Sequence, residues 1–279
     1  MITLRKPSKI VRIGDIPIGG KKHWALIAGP CAIESMEIAR HVAKEMTQIT
    51  NKLGIPYIFK GSYDKANRMS IHSERGVGIQ EGLKILSEIK KEFKIPVLTD
   101  IHETYQAEIV SKHVDCIQIP AFLCRQTDLL QAAVKTGLPV NIKKGQFMAP
   151  EDMSNIAEKA SSLGANGILL TERGVSFGYH NLVVDFRSIP IMAKTGLPIV
   201  MDASHCQQKP GGEGDSTGGS REFIPHITTA ALALDIDALY LEVHPEPSKA
   251  ISDRKTQWPL DQIAELLEFL VKKPHTPKN

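Results

Sequence analysis

The runs WALIAG at residues 24–29 and PYIFKG at residues 56–61 are the first two of eight short apolar stretches that decide the fold. The other six are PVLTD (96–100), DCIQIP (115–120), PVNIKK (139–144), NGILLTER (166–173), PIVMDASH (198–205) and ALYLEVHPE (238–246). A short continuous apolar run is typical of a strand buried on both faces of a parallel sheet. Helical patterns separate the runs, so the sequence predicts an α/β fold, a (β/α)8 TIM barrel.

Nearly every run ends on or beside a residue whose side chain can bind a ligand or take part in catalysis. In chain order these residues are Cys31, Lys60, Asp100, Gln118, Lys143, Arg173, His205 and Glu242. In a (β/α)8 barrel the carboxyl ends of all strands meet at one face, so we expect these side chains to converge there. The periodicity therefore predicts the architecture and the position of the active site together.

The chain has 279 residues, which suits a single barrel domain over 1–279. Residues 1–22 fall outside the repeat, and the alternation in KIVRIGDIPIGG (9–20) predicts an N-terminal β-hairpin. Two alternatives stay open for this hairpin, a plug at the bottom of the barrel and a loose arm. We expect residues 272–279 to form a frayed tail.

Composition narrows the partners and the compartment. The formal net charge of +3 includes no long basic run, which argues against nucleic acid or an acidic membrane as a partner. No apolar stretch has the length of a signal peptide or a membrane span. The four cysteines are too few and too scattered for a disulfide framework. These features favour a cytoplasmic protein.

The glycine-rich segment QQKPGGEGDSTGGSREF (207–223) is the main region that we expect to be irregular. It follows the seventh predicted strand and therefore stands at the mouth of the barrel. Glycines allow backbone mobility and close approach to a ligand. A lid over the active site and a disordered loop are the two alternatives.

Four of the residues at the barrel mouth are suitable metal ligands. Cys31, His205 and Glu242 end strands, and Asp253 lies in the loop after the eighth strand. Thiolate, imidazole and carboxylate suit a borderline divalent metal such as zinc or iron(II). Because a lone cysteine or histidine is more often a core or hydrogen-bonded residue, spacing alone leaves both interpretations open.

Cations also cluster at the strand ends. They are Lys60, Lys65, Lys143, Lys144 and Arg173. The carboxylates expected at the same face, Asp100 and Glu242, are fewer, so a multiply charged anionic substrate is expected to balance the cations. Walker loops, nucleophile elbows and dinucleotide fingerprints are missing from the sequence. The residues alone therefore predict a metal-using, anion-binding barrel.

The words at the strand ends carry a more specific signal. IAGPCAIES, FKGSYDKANR, TDIHE, QIPAFLCRQTDLL, NIKKGQF, TERGVSFGYHNLVVDFRS, DASH and EVHPEP together resemble the 3-deoxy-D-manno-octulosonate 8-phosphate synthase family. The resemblance implies condensation of phosphoenolpyruvate with D-arabinose 5-phosphate and water. The products would be 3-deoxy-D-manno-octulosonate 8-phosphate, for the lipopolysaccharide inner core, and inorganic phosphate.

This family has metal-dependent and metal-independent forms. The metal-dependent form carries cysteine in the GPCAIES word, where the other form has asparagine, and an SD…TQ pattern that ISDRKTQWPL (251–260) matches. The resemblance therefore implies a divalent metal (zinc, iron(II), manganese or similar). The implied ligands are Cys31, His205, Glu242 and Asp253.

The resemblance also implies binding roles for the cations. Lys60, Lys143 and Arg173 are expected to hold the phosphate and carboxylate of phosphoenolpyruvate, with Lys65 and Gln118 close by. The candidates for catalysis are His205, Asp100, Lys65 and Asn67.

Asn67 and Arg68 are expected to hold the pentose phosphate, and Arg125 is expected to reach this site from a neighbouring subunit of a homotetramer. KANR distinguishes this family from the heptulosonate 7-phosphate synthases, which carry a KPRT-type word. Met69 departs from the family, which often has serine there. A synthase for another acceptor, a class II aldolase and a non-catalytic phosphosugar-binding barrel are the alternatives.

Overall fold

The chain folds as a parallel eight-stranded barrel with surrounding helices, as the sequence predicts. The computed structural model describes residues 5–20, 23–68, 70–213 and 216–272. Met69, both ends of the predicted N-terminal extension and all but the first residue of the predicted tail lie outside the described residues.

The N-terminal hairpin pairs β1 (Val11–Ile13) with β2 (Ile16–Ile18) in antiparallel register. Gly14 turns the chain at φ +56°, a conformation that glycine adopts without strain. The apolar side chains of the hairpin pack in one buried cluster with residues from inside the barrel such as Ile27 and Ile58. A side chain of β1 also touches Gly167, which directly precedes a barrel strand. The hairpin therefore plugs the bottom of the barrel.

Eight strands form the closed barrel. They are β3 (Ala25–Gly29), β4 (Tyr57–Lys60), β5 (Val97–Asp100), β6 (Cys116–Ile119), β7 (Val140–Lys143), β8 (Ile168–Glu172), β11 (Ile199–Asp202) and β14 (Ala238–His244). Neighbouring strands are parallel, and β14 pairs with both β3 and β11, which closes the sheet. Every residue of these strands is buried, as their apolar sequences require.

Eight helices are assigned in the described part of the chain, outside the barrel sheet. They are α1 (Met36–Leu53), α2 (Gly78–Phe93), α3 (Gln106–Ser111), α4 (Thr127–Lys135), α5 (Met153–Ser162), α6 (Ser188–Ala193), α7 (Ile224–Ala233) and α8 (Ile263–Val271). In the sequence, three helical patterns end on a Gly-Xaa-Pro step, which predicts that the helix stops there. The glycines of these steps, Gly54, Gly137 and Gly196, all have positive φ, between 68° and 77°. None of the helices in this part of the chain combines the length and apolarity needed to cross a membrane.

Alternation along the strands explains why chemistry collects at one end of the barrel. Ile58 and Leu98 belong to the apolar interior cluster near the hairpin. Two residues further along the same strands, and so on the same face, stand Lys60 and Asp100. Gln118 follows the buried Cys116 in the same way. The barrel interior is therefore apolar at the bottom and polar at the mouth.

Five further short strands lie at the mouth of the barrel. They are β9 (Val175–Ser176), β10 (Leu182–Val183), β12 (Gln208–Glu213), β13 (Ser216–Gly219) and β15 (Trp258–Pro259). β12 and β13 form an antiparallel ribbon within 207–223, so the expectation of an irregular segment there is wrong. Pairing of backbone groups across the ribbon gives these glycines a regular structure that composition alone does not reveal.

Candidate active site and metal centre

Four side chains that can bind a metal meet at the mouth of the barrel. One ligand atom from each of Cys31, His205, Glu242 and Asp253 lies within 4.8 Å of the others. Cys31 Sγ is 3.0 Å from Asp253 Oδ2, and His205 Nε2 is 3.3 Å from Glu242 Oε1. The convergence predicted from four separate parts of the sequence is confirmed.

The chemistry of this cluster fits a divalent cation. Sulfur, imidazole nitrogen and two carboxylates are the ligand types that a borderline metal prefers. Glu242 Oε2 is buried and accepts no hydrogen bond within the described structure, which leaves an oxygen open to a ligand. His205 Nδ1 lies 2.7 Å from Asp202 Oδ2, so Nε2 faces the other three ligands. A carboxylate behind a histidine is the usual outer partner of a metal-binding imidazole.

Two groups of the cluster have pKa values that are shifted in opposite directions. Burial, followed by the charge of Glu242, raises the pKa of the Cys31 thiol well above its usual value. Burial also raises the pKa of Asp253, but His205 and Lys65 outweigh it and hold this pKa at about 2. A cation between these groups would stabilise the thiolate, because metal-bound cysteine is deprotonated.

Two of the predicted substrate-binding cations, Lys60 and Lys143, are the last residues of β4 and β7, as the sequence predicts. Lys60 Nζ is 3.0 Å from Glu242 Oε1 and 2.9 Å from the Cys31 carbonyl oxygen. Lys143 forms a buried ion pair with Asp202, and its Nζ lies 3.5 Å from the centre of the Tyr240 ring. Both lysines are therefore already paired with carboxylates.

The sequence-based statement that carboxylates are scarce at this face is wrong in part. Asp202 balances Lys143, and Glu172 lies 3.4 Å from Lys144, which does not line the cavity. Glu172 and Asp202 are the last residues of the buried strands β8 and β11. The alternation of inward-facing residues along β11 could have identified Asp202 as a residue of the barrel mouth.

Two cations keep charge available for an anion. Within the described residues, neither Arg173 nor Lys65 has a carboxylate at ion-pair distance. Arg173 donates to Gln208 Oε1 at 2.5 Å, and its NH1 is buried without a hydrogen-bond partner in the described part of the chain. Lys65 donates to Ser62 Oγ at 3.1 Å. A buried, unpaired guanidinium nitrogen is costly, so Arg173 indicates an anion site.

Asp100 lies in a small polar network. Its Oδ1 accepts from Ser62 Oγ at 2.5 Å, and its Oδ2 is 2.9 Å from His102 Nε2. Burial raises the pKa of Asp100, but the hydrogen bond and charge of His102, followed by the charge of Lys65, hold it well below its usual value. The sequence did not indicate Ser62 or His102 as site residues, although His102 stands in the quoted word TDIHE. Gln118 is held by a similar polar contact, because its Oε1 accepts a hydrogen bond from the buried Asn141 Nδ2 at 3.1 Å.

The residues expected to hold the acceptor phosphate are less enclosed. Asn67 is exposed, and Arg68 is half-buried. Arg68 donates to Ser252 Oγ at 2.9 Å and to the Ile251 carbonyl at 3.0 Å. Met69 lies outside the described residues. Arg125 is exposed and does not line the cavity of its own subunit.

One cavity of about 1070 Å³ connects these groups. Its lining includes Lys60, Lys65, Asn67, Arg68, Asp100, His102, Gln118, Lys143, Arg173, His205, Gln208, Tyr240 and Asp253. Gln208, at the start of the β12–β13 ribbon, joins the two halves of the site, because its Nε2 donates to Asp253 Oδ1 at 2.7 Å. The site thus combines a metal-binding cluster with cations in a cavity large enough for two small anions.

The chain is similar to known proteins over almost its whole length. The sequence model described as "DAHP synthetase I family" matches residues 2–276. Proteins named 2-dehydro-3-deoxyphosphooctonate aldolase are 52% identical in Granulibacter bethesdensis and 53% identical in a Cyanothece species, each over 263 residues. These matches cover 94% of this chain and 93% and 96% of the relatives. A protein of the same name in Methylococcus capsulatus is 52% identical over 91% of this chain and 90% of its own length.

Proposed function

The chain belongs to the DAHP synthetase I family, and we propose that it catalyses its reaction with a divalent metal held by Cys31, His205, Glu242 and Asp253. It is a 3-deoxy-8-phosphooctulonate synthase, which condenses phosphoenolpyruvate with D-arabinose 5-phosphate and water. The products are 3-deoxy-D-manno-octulosonate 8-phosphate, a lipopolysaccharide precursor, and inorganic phosphate. The observation that supports the metal is the convergence of four ligand atoms within 4.8 Å.

Bringing the two substrates together is the first physical problem of this reaction. They carry roughly four to five negative charges, because each phosphate monoester has about two near neutral pH and the carboxylate adds one. Repulsion between them rises steeply in a site from which water is excluded. We propose that Lys60, Lys143 and Arg173 offset this charge by holding phosphoenolpyruvate, with Lys65 and Gln118 beside it. The unpaired NH1 of Arg173 supports this assignment most directly.

In the chemical step, C3 of phosphoenolpyruvate attacks the aldehyde carbon C1 of the pentose while water adds at C2. The tetrahedral intermediate then loses inorganic phosphate by cleavage of the C2–O bond. When bound, the metal supplies a positive centre that orients the acceptor and stabilises charge near the aldehyde. The cations of the cavity hold both anionic groups in line for the attack.

We propose that Asp100, together with His102, handles the proton near the aldehyde, rather than His205. Both ring nitrogens of His205 are engaged, Nδ1 with Asp202 and Nε2 with the ligand cluster. Asp100 and His102 instead line the cavity as a hydrogen-bonded pair beside Lys65. Because the pKa of Asp100 is held low, Asp100 would orient the His102 ring, and the imidazole would accept or return the proton without disturbing the ligands.

Acceptor choice provides the test of the proposed substrate sites. Asn67 and Arg68 are proposed to fix the distance from the aldehyde to the acceptor phosphate. With D-erythrose 4-phosphate the phosphate group would fall short and leave cations unpaired, so we expect kcat/KM to be lower by about a hundredfold or more. Phosphate release measured with each sugar in turn checks this expectation. Equal use of the two sugars would refute the assignment of the acceptor site.

Arg125 is proposed to complete the acceptor site from a neighbouring subunit of a homotetramer. Its exposure, and its absence from the cavity of its own subunit, support an action across an interface. We expect Arg125→Ala to raise the Michaelis constant for the pentose phosphate about tenfold or more, because a charge-assisted contact is lost, with little effect for phosphoenolpyruvate. Steady-state kinetics with each substrate varied would decide it, and an equal effect on both constants would count against it.

We also propose a domain organisation, a cellular compartment and a range of metals for this enzyme. The hairpin and the barrel share one interior cluster, which supports a single domain over 1–279. All four cysteines are free thiols, and a metal-binding Cys31 must stay reduced, which supports the cytoplasm. The metal is proposed to be zinc, iron(II), manganese or a similar ion.

A further inference from the structure

Asp253 differs from the other three proposed ligands in how it is held. Cys31, His205 and Glu242 lie in or directly after barrel strands, whereas Asp253 lies in the loop between β14 and β15. Its φ of +51° is in the left-handed region, which residues with a Cβ rarely adopt. Gln208 Nε2 donates to its Oδ1, and contacts between its loop and other parts of the chain hold the backbone.

Glu34 makes one of these contacts. It belongs to the loop after β3 that also carries Cys31. Its Oε1 accepts a hydrogen bond from the backbone N–H of Ile251 at 3.2 Å. The side chain is only 13% exposed and does not line the cavity, so Glu34 is not placed to touch a substrate.

His244 stands behind Glu34. It is the last residue of β14, and its Nδ1 accepts the backbone N–H of Glu246 at 3.0 Å. A neutral imidazole whose Nδ1 accepts must carry its proton on Nε2. Nε2 lies 3.3 Å from Glu34 Oε1. Nε2 makes no hydrogen bond within the described residues, so His244 packs behind Glu34 as a close neighbour and not as its donor.

We propose that Glu34, through its hydrogen bond with the Ile251 N–H, is a positioning residue for Asp253. It joins the loop of Cys31 to the loop of Asp253 and so holds the two proposed ligands at the separation that a metal needs. Gln257 makes a second tie of the same kind, because its Oε1 accepts from the Cys31 N–H and its Nε2 donates to the Ser252 carbonyl. The inference rests on the proposed metal site.

The test compares the zinc affinity of three variants by competition with a chromophoric chelator. Glu34→Ala removes the acceptor for the Ile251 N–H, and loss of such an outer contact typically weakens metal binding about 10–100-fold. Glu34→Gln keeps an Oε1 acceptor and should recover most of that affinity. Glu37→Ala, on the exposed first turn of α1, is the matched control and should bind zinc like the wild type. If Glu34→Ala does not fold, Glu34→Asp replaces it, since its shorter side chain does not reach Ile251.

A double-mutant cycle shows whether Glu34 acts through Asp253. In an Asp253→Ala background, Glu34→Ala should change zinc affinity less than about twofold, because no carboxylate remains to be positioned. An unchanged affinity of Glu34→Ala, an equal loss with Glu34→Gln, or the full loss in the Asp253→Ala background would each overturn the inference. A wild-type enzyme that binds zinc normally in those cases leaves the proposed function standing. A wild type without zinc affinity overturns both.

Discussion

Removal of the divalent metal should abolish condensation. Burial and Glu242 raise the pKa of the Cys31 thiol well above its usual value, so without a cation it stays protonated and the cluster offers the acceptor no positive centre. Loss of a single outer partner of a metal ligand typically costs about 10–100-fold in activity, so loss of the ion itself should cost more than about a hundredfold. Phosphate release after exhaustive chelation measures this effect.

Restoration distinguishes metal loss from damage to the protein. Zinc, manganese or anaerobic iron(II) added after removal of the chelator should return the activity. Far-ultraviolet circular dichroism of the metal-free sample should show an intact barrel, because the ligands lie at the mouth and not in the apolar interior. Metal-free enzyme that turns over at the normal rate would show that the enzyme works as the metal-independent form.

Lys143→Met should produce the largest loss of stability at the site. Lys143 is nearly buried and pairs with Asp202, which is completely buried. Methionine retains most of the side-chain volume but leaves the carboxylate without its cation, which typically costs about 3–5 kcal/mol. Loss of the contact with the Tyr240 ring adds to this effect. Urea denaturation of the metal-loaded proteins gives the free energy of unfolding.

The same substitution should impair substrate binding. Lys143 is one of the three cations proposed for phosphoenolpyruvate, so the Michaelis constant for this substrate should rise in any variant that still folds. Lys84→Met on α2 is the matched control, because Lys84 is 63% exposed and its nearest carboxylate oxygen, in Glu81, is 3.9 Å away. Its stability should change by less than about 0.5 kcal/mol. A Lys143→Met variant as stable as this control would contradict the buried ion pair.

The barrel was predictable from the sequence because buried parallel strands leave a simple signal. Each of the eight apolar runs contains one observed barrel strand, and the glycines before Pro56, Pro139 and Pro198 stop the helices where expected. The β12–β13 ribbon was not predictable, since its pairing depends on backbone hydrogen bonds between glycine-rich segments that show no apolar alternation. The hairpin plug required the three-dimensional packing of Val11 against Gly167.

The site residues that the sequence could predict on its own are those at the ends of strands. Residues at strand ends, such as Lys60 and Glu242, follow from the topology of a barrel. Asp253 lies in a loop, so spacing alone left its grouping with Cys31 open, and the resemblance to a family favoured it. Asp202, His102 and Glu34 were missed, because their importance lies in which neighbour each one contacts. Such contacts depend on tertiary structure, so no regular spacing of residues in the sequence reveals them.

The metal content of the purified protein tests the central claim most directly. One equivalent of a divalent transition metal per chain is expected in the wild type, measured by inductively coupled plasma mass spectrometry. Cys31→Asn removes the thiolate while Asp253 and its loop remain, so this variant should hold far less than one equivalent and should not respond to added metal. A wild type without metal, or a Cys31→Asn variant with a full equivalent, would contradict the proposed site.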